Sequence, residues 1–234
     1  MKVSIVNVNY NSYEQLEKYL KSLQTAFEKC KDLNLEVYIA DNSSQKQELS
    51  FTHSFDCSIV PLENLGYFGG AFEVINANQR IRESDYVIIS NVDLQVAENF
   101  FVELQKVKIS DTTAWLAPQI YSTAENAPKN HRIKLTRPSK KRIFLLMLSF
   151  KFPLVQKIYI KTMFKHRNER METKTFPQSF IYSGHGSFFI LTKKFFVLIG
   201  DKRLEYKPFL YGEEYYLAEL IRMYRGGASI FQTC

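Results

Sequence analysis

Cysteine is scarce in this chain: Cys30, Cys57 and Cys234 are odd in number and far apart. That excludes a disulfide framework and a cysteine-rich metal cluster, and it suits a reducing cytosol. The opening Met1-Lys-Val-Ser-Ile-Val lacks the apolar stretch and small-residue cleavage site of a signal peptide. A charge-free run of about twenty apolar residues, the length that spans a bilayer, is also missing. Acid is almost absent from one segment. Between Lys129 and Arg170 thirteen Lys or Arg face a single acid, Glu169, a net of +12 that leaves −5 of the overall +7 on the other 192 residues. Such asymmetry points to a polyanionic surface as partner.

At 234 residues the chain is long enough to bury a core without staples, as one domain with room for an appendage. The stretch that organises it is Tyr86-Val-Ile-Ile-Ser-Asn-Val-Asp93. Four bulky residues without helical spacing predict a strand buried on both faces, as in a parallel sheet covered by helices. Ser90, Asn91 and Asp93 then fall at its carboxyl end, where open α/β sheets bind ligands. The alternative is an Asp that only caps the following turn.

Taken in order, Lys2 to Tyr10 predicts a first strand. Ser12 and Gln15 form a capping-box pattern before a helix whose stripe is Leu16, Tyr19, Leu20, Leu23 and Phe27. Leu35–Ala40 is a second strand ending in Asp41, and Cys57–Val60 a third. Gly66, Gly69 and Gly70 stand before a helical pattern of Ala71, Val74, Ile75 and Ile81, where glycines let backbone approach an anion or serve only as turn chemistry. Their spacing is not Gly-x-Gly-x-x-Gly, which counts against a dinucleotide fingerprint. Ala97–Val107 predicts a helix and Ala114–Pro118 a strand, and the alternation as a whole is an α/β layer architecture.

Ser4–Ser12, Ile39–Ser44, Asn64–Gly70 and Ser90–Asp93 resemble, in order and spacing, the N-terminal half of glycosyltransferase family 2, and are most similar to its rhamnosyltransferase-like and capsule-assembly members. Tyr182-Ser-Gly-His-Gly-Ser-Phe-Phe189 looks like the family's Ser-Gly loop, and Phe209-Leu-Tyr-Gly-Glu-Glu214 like its acidic catalytic motif. The resemblance covers roughly residues 1–121 and 179–231. It implies a GT-A-like three-layer α/β/α fold with a mostly parallel central sheet, a Rossmann-like nucleotide-binding half and a basic helical insertion. Residues 1–121 would be the donor half, 122–178 the insertion, and 179–234 the acceptor and catalytic part.

The implied reaction is inverting transfer of a sugar from a nucleotide-diphosphate sugar to a hydroxyl of a lipid-linked saccharide, in cell-surface polysaccharide assembly on the membrane's inner face. The implied donor-binding residues are Asn9, Asp41, Asn64, Gly66, Gly69 and Asn91, and Ser183, Gly184 and His185 would lie on the acceptor side. Asp93 matches the last position of the family's Asp-x-Asp motif, which holds Mg²⁺ or Mn²⁺ on the diphosphate. Its first position here is Asn91, leaving one carboxylate, a sparse set for a hard cation that completes its shell with phosphate oxygens.

Glu213 and Glu214 open a helix with the stripe Leu217, Leu220, Ile221 and Tyr224. An anion in the first turn is favoured by the macrodipole. Helical phase puts Glu213 nearer the stripe and Glu214 at its edge and does not choose between them, whereas the family match puts the base at Glu214. Relatives usually continue past the strand matching Ala228–Phe231 to a further metal-reaching histidine; a chain stopping at Cys234 is either a short form or lacks C-terminal elements.

The basic segment runs from polar, cationic Arg132–Arg142 into Ile143–Phe164, where large apolar residues interleave with Lys151, Lys157 and Lys161. This suits amphipathic helices broken at Pro153 and lying in an anionic interface, or a packed insertion with a solvated basic face. Nucleic acid is disfavoured, since no recognised module accompanies the charge. A nucleotidyltransferase using the same acids and an inactive membrane-bound module are the rival readings.

Overall fold

The computed structural model describes residues 1–49, 52–128, 133–152, 156–157 and 180–231. The strand through Lys2–Asn9 (β1) is followed by a helix at Tyr13–Glu28 (α1) and strands at Asn34–Asp41 (β2) and Asp56–Pro61 (β3). Helices at Tyr67–Ala77 (α2) and Gln79–Arg82 (α3) lead to Tyr86–Asn91 (β4), then Phe100–Lys106 (α4) and Thr113–Pro118 (β5). A small hairpin, Tyr121–Ser122 (β6) with Ala127–Pro128 (β7), precedes the helix Lys140–Lys151 (α5). Phe180–Ile181 (β8), Phe188–Thr192 (β9), Lys193–Ile199 (α6), Glu213–Met223 (α7) and Gly227–Phe231 (β10) complete the described chain.

Eight strands form one mixed sheet in the order β3-β2-β1-β4-β9-β5-β10-β8. β1, β2, β3 and β4 are mutually parallel, and β5 pairs in parallel with β10. One face is covered by α1 and α4, through Leu16, Tyr19, Leu20, Leu23, Phe101 and Leu104. The other is covered by α2, α6 and α7, through Phe68, Phe72, Ile75, Phe195, Leu217 and Ile221. This is the expected three-layer α/β/α arrangement. Val87, Ile88 and Ile89 of β4 are wholly buried because their alternating side chains enter opposite layers.

From β1 the chain first builds outward through β2 and β3, then crosses to the other side of β1 with β4. That reversal is the switch point at which open α/β sheets bind ligands. Asn9 and Asn91 end the two strands that flank it. β9 runs antiparallel between β4 and β5, with Ser90 beside Phe188. It therefore begins where β4 ends, and the loop before it lands on the carboxyl edge of the sheet.

Several local expectations are corrected. Ser12 is the N-cap of α1, but its hydroxyl donates to the Tyr10 carbonyl (3.0 Å) and caps no helical N–H, so the capping box does not form. Phe27 is half-buried and Ala26 takes the buried position in the last turn. α2 begins at Tyr67, so Gly69 and Gly70 lie inside it and only Gly66 precedes it. Ile81 belongs to α3, which Asn78 starts by accepting from the Arg80 N–H. The helix expected from Ala97 starts at Phe100.

The proposed insertion begins as part of the domain. Ile133 is buried, Lys134 bridges Ser183, and Arg137 makes a two-pronged ion pair with Glu219 of α7 (2.8 and 2.7 Å). α5 is helical as expected and is capped by Ser139, whose hydroxyl accepts from the Arg142 N–H. Ile143, Phe144 and Leu145 are all exposed. At about 100° per residue they spread round more than half the helix, so this part shows no clean apolar stripe. The break at Pro153 and the cations of 157–170, apart from Lys157, lie outside the described residues, as do Lys129 and Arg132.

Candidate active site

The floor of the site is Asp41, 1 % exposed at the end of β2. Its Oδ1 accepts from the Ser43 hydroxyl (2.6 Å) and the Asn9 amide (3.1 Å), and its Oδ2 from the Tyr13 phenol (2.6 Å). Burial alone would push this carboxyl up. The Ser43 and Tyr13 hydroxyls, the Ser43 N–H and the Asn9 amide outweigh it and hold the pKa below its ordinary value. Lys46 adds an ammonium 3.8 Å from Oδ2 and donates to the Leu62 carbonyl, tying the ends of β2 and β3.

Asn42 reaches from this floor to the glycine loop, its amide donating to the Gly66 carbonyl (2.9 Å). Asn64 is exposed and its side chain accepts from the Gly66 N–H (3.2 Å). The glycines are needed here for close approach. Gly66 has φ +74, and a Cβ on Gly70 would come within 2.8 Å of Asn42 Oδ1. Gly69 is partly exposed on the first turn of α2.

The edge of the site is the Ser-Gly loop. The Asn91 N–H donates to the Ser187 carbonyl (3.0 Å), and so does the Tyr67 hydroxyl (3.2 Å), joining β4, α2 and the loop. His185 is half-buried, its Nδ1 within 2.9 Å of the Ser187 hydroxyl and accepting from the Ser187 N–H. Ser183 is fully buried with no partner for its hydroxyl, and Gly184 packs on Ala117 and Trp115. Of the three expected acceptor-side residues, only His185 is open to solvent. Asp93 is exposed just beyond β4.

The N-terminus of α7 closes the cleft. Glu213 is 7 % exposed and its Oε1 accepts from the Tyr211 N–H (3.1 Å). Burial pushes its carboxyl up, against the bonds from its own and the Tyr211 N–H, and Glu214 adds to the rise. Glu214 is half-exposed, and a Cβ on Gly186 would lie 3.2 Å from its Oε2. Tyr67 is held well above its ordinary pKa by burial, then by Glu213, Tyr19 and Asp93; Tyr206 is pushed up to about 12 by burial, then by Glu213 and Glu214. Tyr67 thus senses the charges of Glu213 and Asp93, and Tyr206 those of both glutamates.

Tyr13, Ser43, Lys46, Tyr67 and Tyr206 carry no spacing signal of their own. Only Ser43 and Tyr67 lie inside family-like motifs, Ile39–Ser44 and Asn64–Gly70. Among the described residues no three of His, Cys, Asp and Glu converge on a metal position. What the donor set offers is Asp93, an exposed carboxylate. That suits a hard cation completing its shell with substrate oxygens rather than one caged by protein.

The glycosyl transferase family 2 profile matches residues 4–190. No curated protein sequence matches significantly. Among solved structures, S. aureus TarS 1–349 in complex with UDP-GlcNAc is 14 % identical with TM-score 0.58, over 98 % of this chain and 56 % of that one. GalNAc-T7 with UDP, GalNAc and Mn²⁺ is 13 % identical with TM-score 0.58, over 99 % and 42 %. The mannosyltransferase PcManGT from Pyrobaculum calidifontis in complex with GDP-Man and Mn²⁺ is 16 % identical with TM-score 0.53, over 97 % and 56 %. The chain thus spans about half the length of these solved relatives, and at such identities the likeness speaks for the fold, which is GT-A. With the profile matched over most of its length, the chain belongs to glycosyltransferase family 2.

Proposed function

We propose that this chain moves a sugar, with inversion, from a nucleotide-diphosphate sugar to a saccharide hydroxyl. The observation that carries the reading is the meeting of Glu214 with the loop bonded to the end of β4. Through Gly186 and the Ser187–Asn91 bond, Glu214, half-exposed in the first turn of α7, faces the carboxyl edge of the sheet. Solved relatives that share the fold hold UDP-GlcNAc or GDP-Man. By analogy the donor here lies across Asn9, Asp41, Asn64, Gly66, Gly69 and Asn91. Asp41 is already saturated by protein donors, so its part is to fix Asn9 and the Ser43 loop as a rigid wall.

Glu214 is the base. Its neighbour Glu213 is buried and accepts from the Tyr211 N–H, whereas Glu214 is half-exposed. It takes the proton of the acceptor hydroxyl as that oxygen bonds to the anomeric carbon, and the bond from that carbon to phosphate breaks on the opposite side. Asp93 would hold a divalent cation, which when bound neutralises the departing diphosphate; relatives of this fold carry Mn²⁺.

In this reading residues 1–121 serve the donor and 179–234 the acceptor. The cationic segment supports a lipid-linked acceptor at an anionic inner membrane face, as in cell-surface polysaccharide assembly. Among the described residues no helix is long and apolar enough to cross a membrane.

The test is a thermal-shift screen of UDP, dTDP, GDP and CDP, with and without Mn²⁺, on wild type and Asp93→Ala. A ligand at a hundredfold excess over its Kd stabilises by about 2.7 kcal/mol. One nucleotide should raise the midpoint with Mn²⁺ and lose that metal-dependent gain in Asp93→Ala. No shift with any of the four sinks the transferase reading.

A further inference from the structure

Phe209, Leu210 and Tyr211 are 53 %, 45 % and 87 % exposed. They are consecutive and stand directly before α7, whose own apolar residues Leu217 and Ile221 are buried. Tyr211 also has φ +71 and is followed by Gly212 at φ +94. For a bulky side chain the left-handed region is strained, and such strain persists only where the surroundings over-determine it.

The surroundings here are the site itself. The Tyr211 N–H donates to Glu213 Oε1, and its carbonyl accepts from the Tyr206 hydroxyl (2.7 Å). Two residues earlier, the Phe209 carbonyl rests against Gly66 of the donor loop. The backbone is therefore clamped to Glu213 and Tyr206 on one side and the glycine loop on the other, while the Tyr211 ring packs on almost nothing. A glycine would adopt this turn freely, so the turn does not call for a tyrosine. Aromatic rings offer a large, rigid apolar face at low entropic cost, with a polar tip, and that combination suits the apolar face of a pyranose.

We propose that Tyr211, flanked by Phe209 and Leu210, is the platform on which the acceptor saccharide stacks, presenting its hydroxyl to the glutamate pair. This rests on the transferase reading of the same cleft. It moves the acceptor contact from the buried Ser183 and Gly184 to the loop before α7.

The experiment is saturation-transfer NMR on wild type, Tyr211→Trp and Tyr211→Gly, with methyl glycosides of glucose, galactose, mannose, N-acetylglucosamine and rhamnose. Thermal midpoints and nucleoside diphosphate shifts are read in parallel. Wild type should saturate the ring protons of at least one glycoside, and Tyr211→Trp should keep that signal. Tyr211→Gly should bind about five- to tenfold more weakly, the scale of one aromatic contact. Its midpoint should stay level or rise, because glycine relieves the strained φ, and its nucleotide shift should persist. Equal glycoside binding by Tyr211→Gly overturns the platform, as does no saturation transfer to wild type. So does a Tyr211→Gly defect that appears only in flotation on anionic vesicles, or that extends to the nucleotide shift. A wild-type nucleotide shift that is absent from the outset sinks the transferase reading instead.

Discussion

Gly66 and Phe209 meet so closely that a Cβ on Gly66 would lie 1.9 Å from the Phe209 carbonyl oxygen. The contact joins the donor loop to the loop before α7, two segments far apart in the chain. Because Gly66 also sits at φ +74, Gly66→Ala meets two penalties at once, backbone strain and a backbone clash that no side-chain rotation relieves. We expect a loss of about 1–3 kcal/mol from the strain alone and weakened nucleotide binding. Denaturant unfolding and the UDP, dTDP, GDP and CDP screen check both; wild-type behaviour in each refutes the account.

The buried Asp41 predicts an acid-sensitive floor. Its folded pKa lies below the unfolded value of about 3.9. Its contribution is therefore present above that value and is lost as pH falls through the window down to the folded pKa. Tyr13→Phe removes the 2.6 Å phenol bond. Hydrogen bonds to charged groups contribute about 1.5–3 kcal/mol, so this variant should lose stability of that order at pH 7 and less at pH 3. A loss independent of pH between 7 and 3 would point to packing instead.

The glutamate pair separates by what each substitution changes. Glu213 has a raised pKa, so the folded state binds its proton more tightly than the unfolded chain does. Stability then falls as pH rises from about 4.3 through the folded value. Glu213→Gln should remove that slope and leave the fold as stable or more so at pH 7, since an amide oxygen still accepts from Tyr211. Glu214→Gln should instead reduce kcat by about 10²–10⁴ while nucleotide binding persists. If Glu213→Gln carries the larger loss of kcat with nucleotide binding intact, the base is Glu213.

The sheet was legible in the sequence because its strands are β-branched runs, buried on both faces by two helical layers, and Tyr86–Asn91 reads almost as it folds. The local ends were harder. Ser12 satisfies the capping-box pattern, yet its hydroxyl turns to Tyr10 because the chain leaves β1 through Asn11 at φ +52. Gly69 and Gly70 look like loop residues, but both lie in α2, and Gly70 lets that helix pack against Asn42. The phenols of Tyr13, Tyr67 and Tyr206 reach the site only through tertiary placement, which no spacing encodes. Arg137 looked like one cation among thirteen and is paired with Glu219.

That pairing leaves Lys140, Lys141 and Arg142 as the exposed cations of the first turn of α5, beside exposed Ile143, Phe144 and Leu145. If this helix lies on an anionic surface, each cation contributes about 1 kcal/mol. Replacing all three by glutamate should then weaken flotation on phosphatidylserine-containing vesicles by on the order of a hundredfold or more. The substitutions do not threaten the helix. They sit in its first turn, where cations oppose the macrodipole and acids suit it, and Ser139 still caps the Arg142 backbone N–H whatever side chain stands there. Lost flotation with retained helicity by circular dichroism therefore reports the surface charge alone. Equal flotation of the variant and wild type removes the membrane from the account and leaves α5 a solvated helix beside the catalytic domain.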